Sequence, residues 1–249
     1  MTGRMERFEI KYCVPHQVAD AVLDVARLFL LPEPGLVAGQ SQLITSLYLD
    51  TPELTFMKWH LEDAPDRFKL RVRAYGPSPW RTVHAEIKQK HAFISRKRRV
   101  EIPVGQLDQL LMGADLRFAD RYSHPDAAVL EEFSWHQLTL HATPALLLQT
   151  SRESLRGAMG EATAVTVDRQ VVWQPHRLRT LRATGGWRLL PLPQSAGPAS
   201  TVLEFKHGVR PPRWMEALMR ELVMWRVSFS KYVAATTHLD PWEAASCRC

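Results

Sequence analysis

Polar and apolar residues alternate in short runs along much of this chain, and many of the polar positions are charged. Glu9-Ile10-Lys11, Lys69-Leu70-Arg71-Val72-Arg73, Glu86-Ile87-Lys88-Gln89-Lys90, Lys97-Arg98-Arg99-Val100-Glu101 and Glu204-Phe205-Lys206 are the clearest cases. Successive side chains on a strand point to opposite faces. Lys69, Arg71 and Arg73 therefore share one face, and Leu70, Val72 and Ala74 share the other. Cations on neighbouring strands repel one another. Faces of this kind are expected to converge on a polyanion.

The pattern predicts strands over residues 7–13, 41–49, 68–75, 82–89, 96–103, 145–152, 163–173 and 200–206, with a hairpin across residues 90–95. Pro15 opens a helix that runs to about Leu31, with Val18, Val22, Val25 and Leu28 near helical spacing. A short helical link covers residues 54–61. Leu107, Leu110 and Leu111, then Val129, Leu130, Phe133 and Leu138, mark helices within residues 105–142. A last helix spans residues 213–227, with Leu218, Leu222 and Trp225 on its core face, and continues after a break over residues 228–237. Residues 191–198 form a Pro/Ser/Gly-rich loop. Strands and helices do not alternate regularly. The expectation is an α+β fold with a mainly antiparallel sheet, and eight strands are about enough to close a barrel around one ligand.

Composition changes this picture little. The chain has 249 residues, a net charge of +6 and a sequence pI near 9.4. That length suits one domain, set at residues 5–237 with a tail over 238–249. The charge favours an anionic partner, but the cations sit in strand patterns rather than in a tail, so nucleic acid is not demanded. Cys13, Cys247 and Cys249 form no disulfide framework. No apolar signal region opens the chain, and Leu28-Phe29-Leu30-Leu31 is far too short to span a bilayer. A cytoplasmic protein is expected. No Gly-rich phosphate loop is present, which excludes a P-loop enzyme.

The ordered series Lys11-Tyr12, Ser46-x-Tyr48-x-Asp50-Thr51, Arg71-x-Arg73-x-Tyr75-Gly76, Glu86-x-Lys88, Lys97-x-Arg99, Arg152, Asp168-Arg169, Glu204-x-Lys206 and Ser230-Lys231-Tyr232 resembles the VTC domain. That domain is the polyphosphate polymerase branch of the triphosphate tunnel metalloenzymes, which share a CYTH-like fold. The resemblance spans about residues 5–237. It implies an eight-stranded antiparallel tunnel, closed as a barrel, with flanking helices. It implies binding of ATP, triphosphate and polyphosphate with Mn²⁺ or Mg²⁺. It also leaves room for a membrane partner, although the chain shows no membrane segment of its own.

Carried over motif by motif, Lys11, Arg71, Arg73, Lys88, Glu204 and Lys231 would be the catalytic set. Lys69, Lys97, Arg99, Arg152, Lys206 and Ser230 would add to the phosphate grip. Glu204 is the first expected metal ligand, Glu9 the second and Glu86 the third. Two positions depart from the family pattern. Arg7 stands where the broader family often opens Glu-x-Glu-x-Lys. Ala164 stands where the polymerase branch tends to carry an arginine, so that either one phosphate clamp is missing or Arg169 or Arg156 replaces it.

The chemistry agrees with this residue set. Phosphoryl transfer depends on positioning and electrostatics rather than on covalent help. Arginine offers a planar fork to phosphate, and lysine a compact charge. When the nucleophile is a phosphate oxygen no general base is needed, whereas a hydrolase gains from extra carboxylates. Two other functions stay open from residues alone: a tripolyphosphate or nucleoside triphosphate hydrolase, and a polyphosphate-binding module without turnover. Blander roles are also weighed. Arg71 and Arg73 could guard an edge strand, and Lys97-Arg98-Arg99 could be a basic patch for RNA or a membrane. Asp168 could bind metal or orient Arg169, the structural role being favoured; Ser230-Lys231-Tyr232 could be an ordinary helix end, and Tyr48 and Asp50 read as structural. His84 shares a face with Glu86 and Lys88, and Trp59, Trp135, Trp214 and Trp225 read as packing.

Overall fold

The computed structural model of the protein describes residues 8–91, 94–113, 120, 122–158, 161–193 and 200–239. In chain order the elements are β1 (Phe8–Pro15), α1 (His16–Ala26), β2 (Leu31–Pro32), β3 (Gln42–Asp50), α2 (Thr55–Leu61), β4 (Asp66–Tyr75), β5 (Thr82–His91), β6 (Ile94–Pro103), α3 (Leu107–Met112), α4 (His124–Thr139), β7 (Thr143–Arg156), β8 (Ala164–Pro175), β9 (Arg188–Leu189), β10 (Ser200–His207), α5 (Arg213–Glu221), β11 (Arg226–Val227) and α6 (Lys231–Thr236). The long strands β1, β3, β4, β5, β6, β7, β8 and β10 fall where the alternating pattern placed strands.

The hydrogen-bonded order is β11-β1-β10-β8-β7-β3-β4-β5-β6, with β2 on β7 and β9 on β8. The fold is thus a large antiparallel sheet with flanking helices. The expected closed eight-stranded barrel is corrected at this level: among the described residues the order has two ends, at β11 and β6. The end at β11 is Arg226–Val227, paired with β1, and the end at β6 is Ile94–Pro103, paired with β5.

The chain divides into two compact units. One comprises residues 1–43, 150–171 and 191–229. In it Tyr12, Val14, Leu23, Val167, Leu203 and Phe205 are buried together with Met215 of α5. The other comprises residues 44–149, 172–190 and 230–249. Here Leu70, Val72 and Ala74 of β4 and Val83, Ala85 and Ile87 of β5 are fully buried against Phe56, Leu110, Leu130 and Phe133 from α2, α3 and α4. Each fully buried Leu, Ile or Phe contributes about 2 kcal/mol. Burial of this apolar face is what forces Lys69, Arg71 and Arg73 together on the opposite side.

Helix boundaries differ from the pattern at two places. α1 stops at Ala26, and its buried residues are Ala19, Val22, Leu23 and Ala26. Leu28 is exposed, because Leu28, Phe29 and Leu30 fold into turns whose amides bond back to Val25 and Ala26. The helix over residues 213–227 ends at Glu221, followed by a 3-10 turn, Val223–Trp225, and by β11. Leu222 is buried, with Leu218 and Trp225 packed beside it. Trp135 is exposed rather than packed, whereas Trp59 joins the core of its unit. No helix among the described residues is long and apolar enough to cross a membrane. Cys247 and Cys249 lie outside the described residues, as does Arg7; Cys13 is buried in β1.

Candidate functional site

Antiparallel register places residues directly opposite one another on the same face. On β4, β5 and β6 this produces ranks. Lys69 faces Lys88, and Lys88 faces Lys97. One rank along, Arg71 faces Glu86, which faces Arg99. The next is Arg73, His84 and Glu101, and β3 extends two of these ranks with Tyr48 beside Arg71 and Ser46 beside Arg73. The shared face matches the alternation in the sequence; the ranks themselves follow from register.

Glu86 anchors the face. Its side chain is 0% exposed, with one oxygen 2.5 Å from Arg71 and the other 2.8 Å from Lys97 Nζ. Burial pushes its carboxyl up, but Arg71, Arg73 and Lys97 together outweigh that and hold it well below the ordinary range. Both oxygens lie against cations, Arg71 on one and Lys97 on the other. Arg71 donates from Nε to Glu86 and from a terminal nitrogen to the Tyr48 hydroxyl at 3.1 Å. Arg73 is buried and donates to Ser46 Oγ at 3.1 Å. Tyr48 lies in this field: burial raises its phenol, yet Arg71, Arg73 and Lys231 leave it lowered. Lys97 is 40% exposed. Desolvation, helped by Arg71 and Arg73 and opposed by Glu86, brings it down to about 8.

The fully cationic rank is edged by α2 and α6. Lys69 Nζ donates to Ser230 Oγ at 2.7 Å, and Ser230 is the N-cap of α6, accepting from the Val233 amide. Ser230-Lys231-Tyr232 therefore opens a helix rather than ending one. His60, near the end of α2, donates to the Phe56 carbonyl at 2.8 Å. Burial first, then Lys69, Arg67 and Lys88, bring its imidazole down to about 4. Neither His60 nor the buried Asp50–Tyr232 hydrogen bond is visible in a strand pattern.

In the other unit the ranks are Lys11-Glu204-Thr166, Glu9-Lys206-Ala164 and Cys13-Val202-Asp168. Lys11 Nζ lies 3.1 Å from Glu9 and 3.9 Å from Glu204, and it donates to the Phe229 carbonyl. Lys206 Nζ is 2.9 Å from Glu204, and Thr166 donates to Glu204 at 3.3 Å. Thr166 is a buried contact that sequence reasoning missed; only the β8–β10 register reveals it. Ala164 sits buried opposite Lys206, so no arginine fork reaches this rank from β8.

Arg152 makes two hydrogen bonds to the fully buried Asp168, at 2.5 and 2.6 Å. Asp168 thus orients Arg152, not Arg169 as the sequence suggested. Arg169 is held by Asp20 of α1 and lies 3.8 Å from Glu153, which removes it as the replacement at Ala164. Arg156 is exposed.

Mg²⁺ takes oxygen ligands and commonly completes its shell with water and substrate phosphate. Among the described residues no group of three His, Cys, Asp or Glu could hold an ion. Glu204 and Glu9, both beside Lys11, fit a cation that takes one or two carboxylates from protein and the rest from phosphate. All the expected phosphate-binding residues fall on one of the two basic strand faces or at the start of α6, each within its own unit.

The sequence model of the VTC domain matches residues 6–239. No curated protein matches the chain. Among solved structures, the PH1819 protein from Pyrococcus horikoshii OT3 is similar at 12% identity over 93% of this chain and 98% of that one, with a TM-score of 0.46. The Schizosaccharomyces pombe Mediator head module is similar at 11% identity over 87% of this chain and 90% of that one, with a TM-score of 0.39. Neither likeness is close enough to bear on function.

Proposed function

The chain belongs to the VTC domain family, and on that premise we propose that it is a polyphosphate polymerase. In this reading it moves the terminal phosphate of ATP onto a growing polyphosphate chain. The observation that carries the reading is the rank Lys69-Lys88-Lys97, three cations directly opposite one another beside the Arg71-Glu86-Arg99 rank. Like charges opposite one another are unfavourable. Glu86 offsets part of that cost through its 2.8 Å pair with Lys97, and a bound polyanion would relieve the rest.

The proposed chemistry asks little of the protein beyond placement. An oxygen at the end of the polyphosphate chain attacks the γ-phosphorus of ATP, the β–γ bridging bond breaks, and ADP leaves with the electron pair. Charge spreads over the equatorial oxygens of the transferring group. Lys69, Lys88 and Lys97 supply point charge there. Arg71 is already gripped by Glu86 through Nε and one terminal nitrogen and by Tyr48 through the other, so its orientation is fixed and phosphate would meet only the remaining N–H of each terminal nitrogen. Arg152 is fixed by Asp168 in the same way. These pre-set donors cost no reorganisation during reaction. Glu204 and Glu9 would hold Mn²⁺ or Mg²⁺, which when bound neutralises charge on phosphate oxygens.

Incubation with ATP and Mn²⁺ tests the reading. Long-chain polyphosphate is the expected product. Free phosphate alone would support the triphosphatase, and neither product would support a binding module. Glu204→Gln is expected to abolish turnover while retaining most tripolyphosphate binding. A fully active Glu204→Gln would overturn the metal assignment.

A further inference from the structure

Asp50 ends β3 as a buried carboxylate, 1% exposed. One oxygen accepts from the Thr51 and Phe56 amides at 2.7 and 2.8 Å, and the other from the Met57 amide at 3.0 Å. It therefore closes the first turn of α2, whose preceding residue, Leu54, is in the left-handed region with no side-chain cap. The second oxygen also accepts from the Tyr232 hydroxyl of α6. A carboxylate that only capped α2 would need no such partner. The Tyr232 ring stacks on Tyr48 with centroids 4.8 Å apart, and Tyr48 in turn receives Arg71. Tyr232 is itself 1% exposed.

Tyr232 follows Ser230 and Lys231 directly. A buried charge-assisted hydrogen bond at the second residue of a six-residue helix fixes where its first residue stands. We propose that Asp50 and Tyr232 form a latch that positions Ser230 and Lys231 beside the Lys69-Lys88-Lys97 rank, making them positioning residues for polyanion binding. This rests on the polyphosphate reading above. Lys69 is already bonded to Ser230, and Lys231 is close enough to act on Tyr48. The latch thus sets the geometry of one wall of the basic face without touching phosphate. The same carboxylate holds α2, whose His60 lies in the field of Lys69 and Lys88, so both flanking helices take their position from one buried group.

The test is a double-mutant cycle read by calorimetric titration of the intact chain with tripolyphosphate. Tyr232→Phe keeps the ring and its stack and removes only the hydroxyl donor. It is expected to weaken tripolyphosphate binding about tenfold, and to cost less than about twofold in a Lys231→Ala background, because coupled sites are non-additive. Against Lys97→Ala, on the far strand of the rank, the same change is expected to be additive. Asp50→Asn should reproduce the Lys231 coupling at a larger loss of melting temperature. An equal loss in the wild-type and Lys231→Ala backgrounds would show a merely structural role and overturn the latch. An unchanged Kd for Tyr232→Phe would do the same. Wild-type protein that binds no tripolyphosphate overturns the polyphosphate reading and the latch together.

Discussion

Glu86 shows how one residue sets the chemistry of the basic face. Its carboxylate is fully buried between Arg71 and Lys97. Removing one partner of a buried charge pair leaves the other uncompensated, at a cost of about 3 kcal/mol or more. Glu86→Ala is therefore expected to lose about that much in urea unfolding, with much of it restored by saturating tripolyphosphate, which supplies the missing negative charge. Lys97 gives a pH prediction. Its ammonium must be protonated to hold phosphate, and with no ligand bound it titrates at about 8. Polyanion binding then favours the charged form, so affinity is full below pH 8 and falls as pH rises above it, by up to about tenfold per unit. Lys97→Arg keeps its charge throughout. The difference in Kd between wild type and Lys97→Arg, from pH 7 to pH 9, removes titration of the ligand itself. A constant ratio across that range would rule out Lys97 as the titrating group.

At the scale of elements, the short helices matter more than their length suggests. α6 has six residues and its N-cap, Ser230, serves two partners: the Val233 amide and the Lys69 ammonium. Replacing an N-cap serine by alanine costs about 1 kcal/mol, whereas glycine costs only a few tenths. Ser230→Ala should therefore be less stable than Ser230→Gly in urea melts, while both weaken tripolyphosphate binding equally through loss of the Lys69 contact. The alternating strands are legible in the sequence, because burial of one face fixes the other: Lys69, Arg71 and Arg73 are opposite Leu70, Val72 and Ala74. The end of α1 is not. Leu28 keeps the helical spacing of Val18, Val22 and Val25, yet spacing carries no information about where the chain must turn to pair Leu31–Pro32 with β7. Asp168 is legible as structural but not as the partner of Arg152, since its neighbour in sequence, Arg169, points to the other face of the strand.

For the molecule as a whole, repelling cations on its strand faces should make folding and anion binding one linked equilibrium. A ligand that binds only the folded state stabilises it by mass action, about 2.7 kcal/mol at a hundredfold excess over Kd. Millimolar tripolyphosphate is expected to raise the melting temperature by several degrees, and about 1 M NaCl to remove most of that gain, because salt of that strength screens charge beyond about 3 Å. No shift at low salt would count against the polyphosphate reading as a whole. The amino-acid sequence by itself determined which residues share a face, how many long strands form and that the faces are basic, because strand periodicity and apolar burial are local constraints. Tertiary structure alone decided which cation meets which carboxylate, that Arg71 and Arg152 are gripped before any ligand arrives, that Asp50 reaches Tyr232, and that the backbone ladder has two ends. Those outcomes depend on register and on contacts between residues far apart in the chain, such as Asp50 and Tyr232, 182 positions apart, and no periodicity along the chain encodes them.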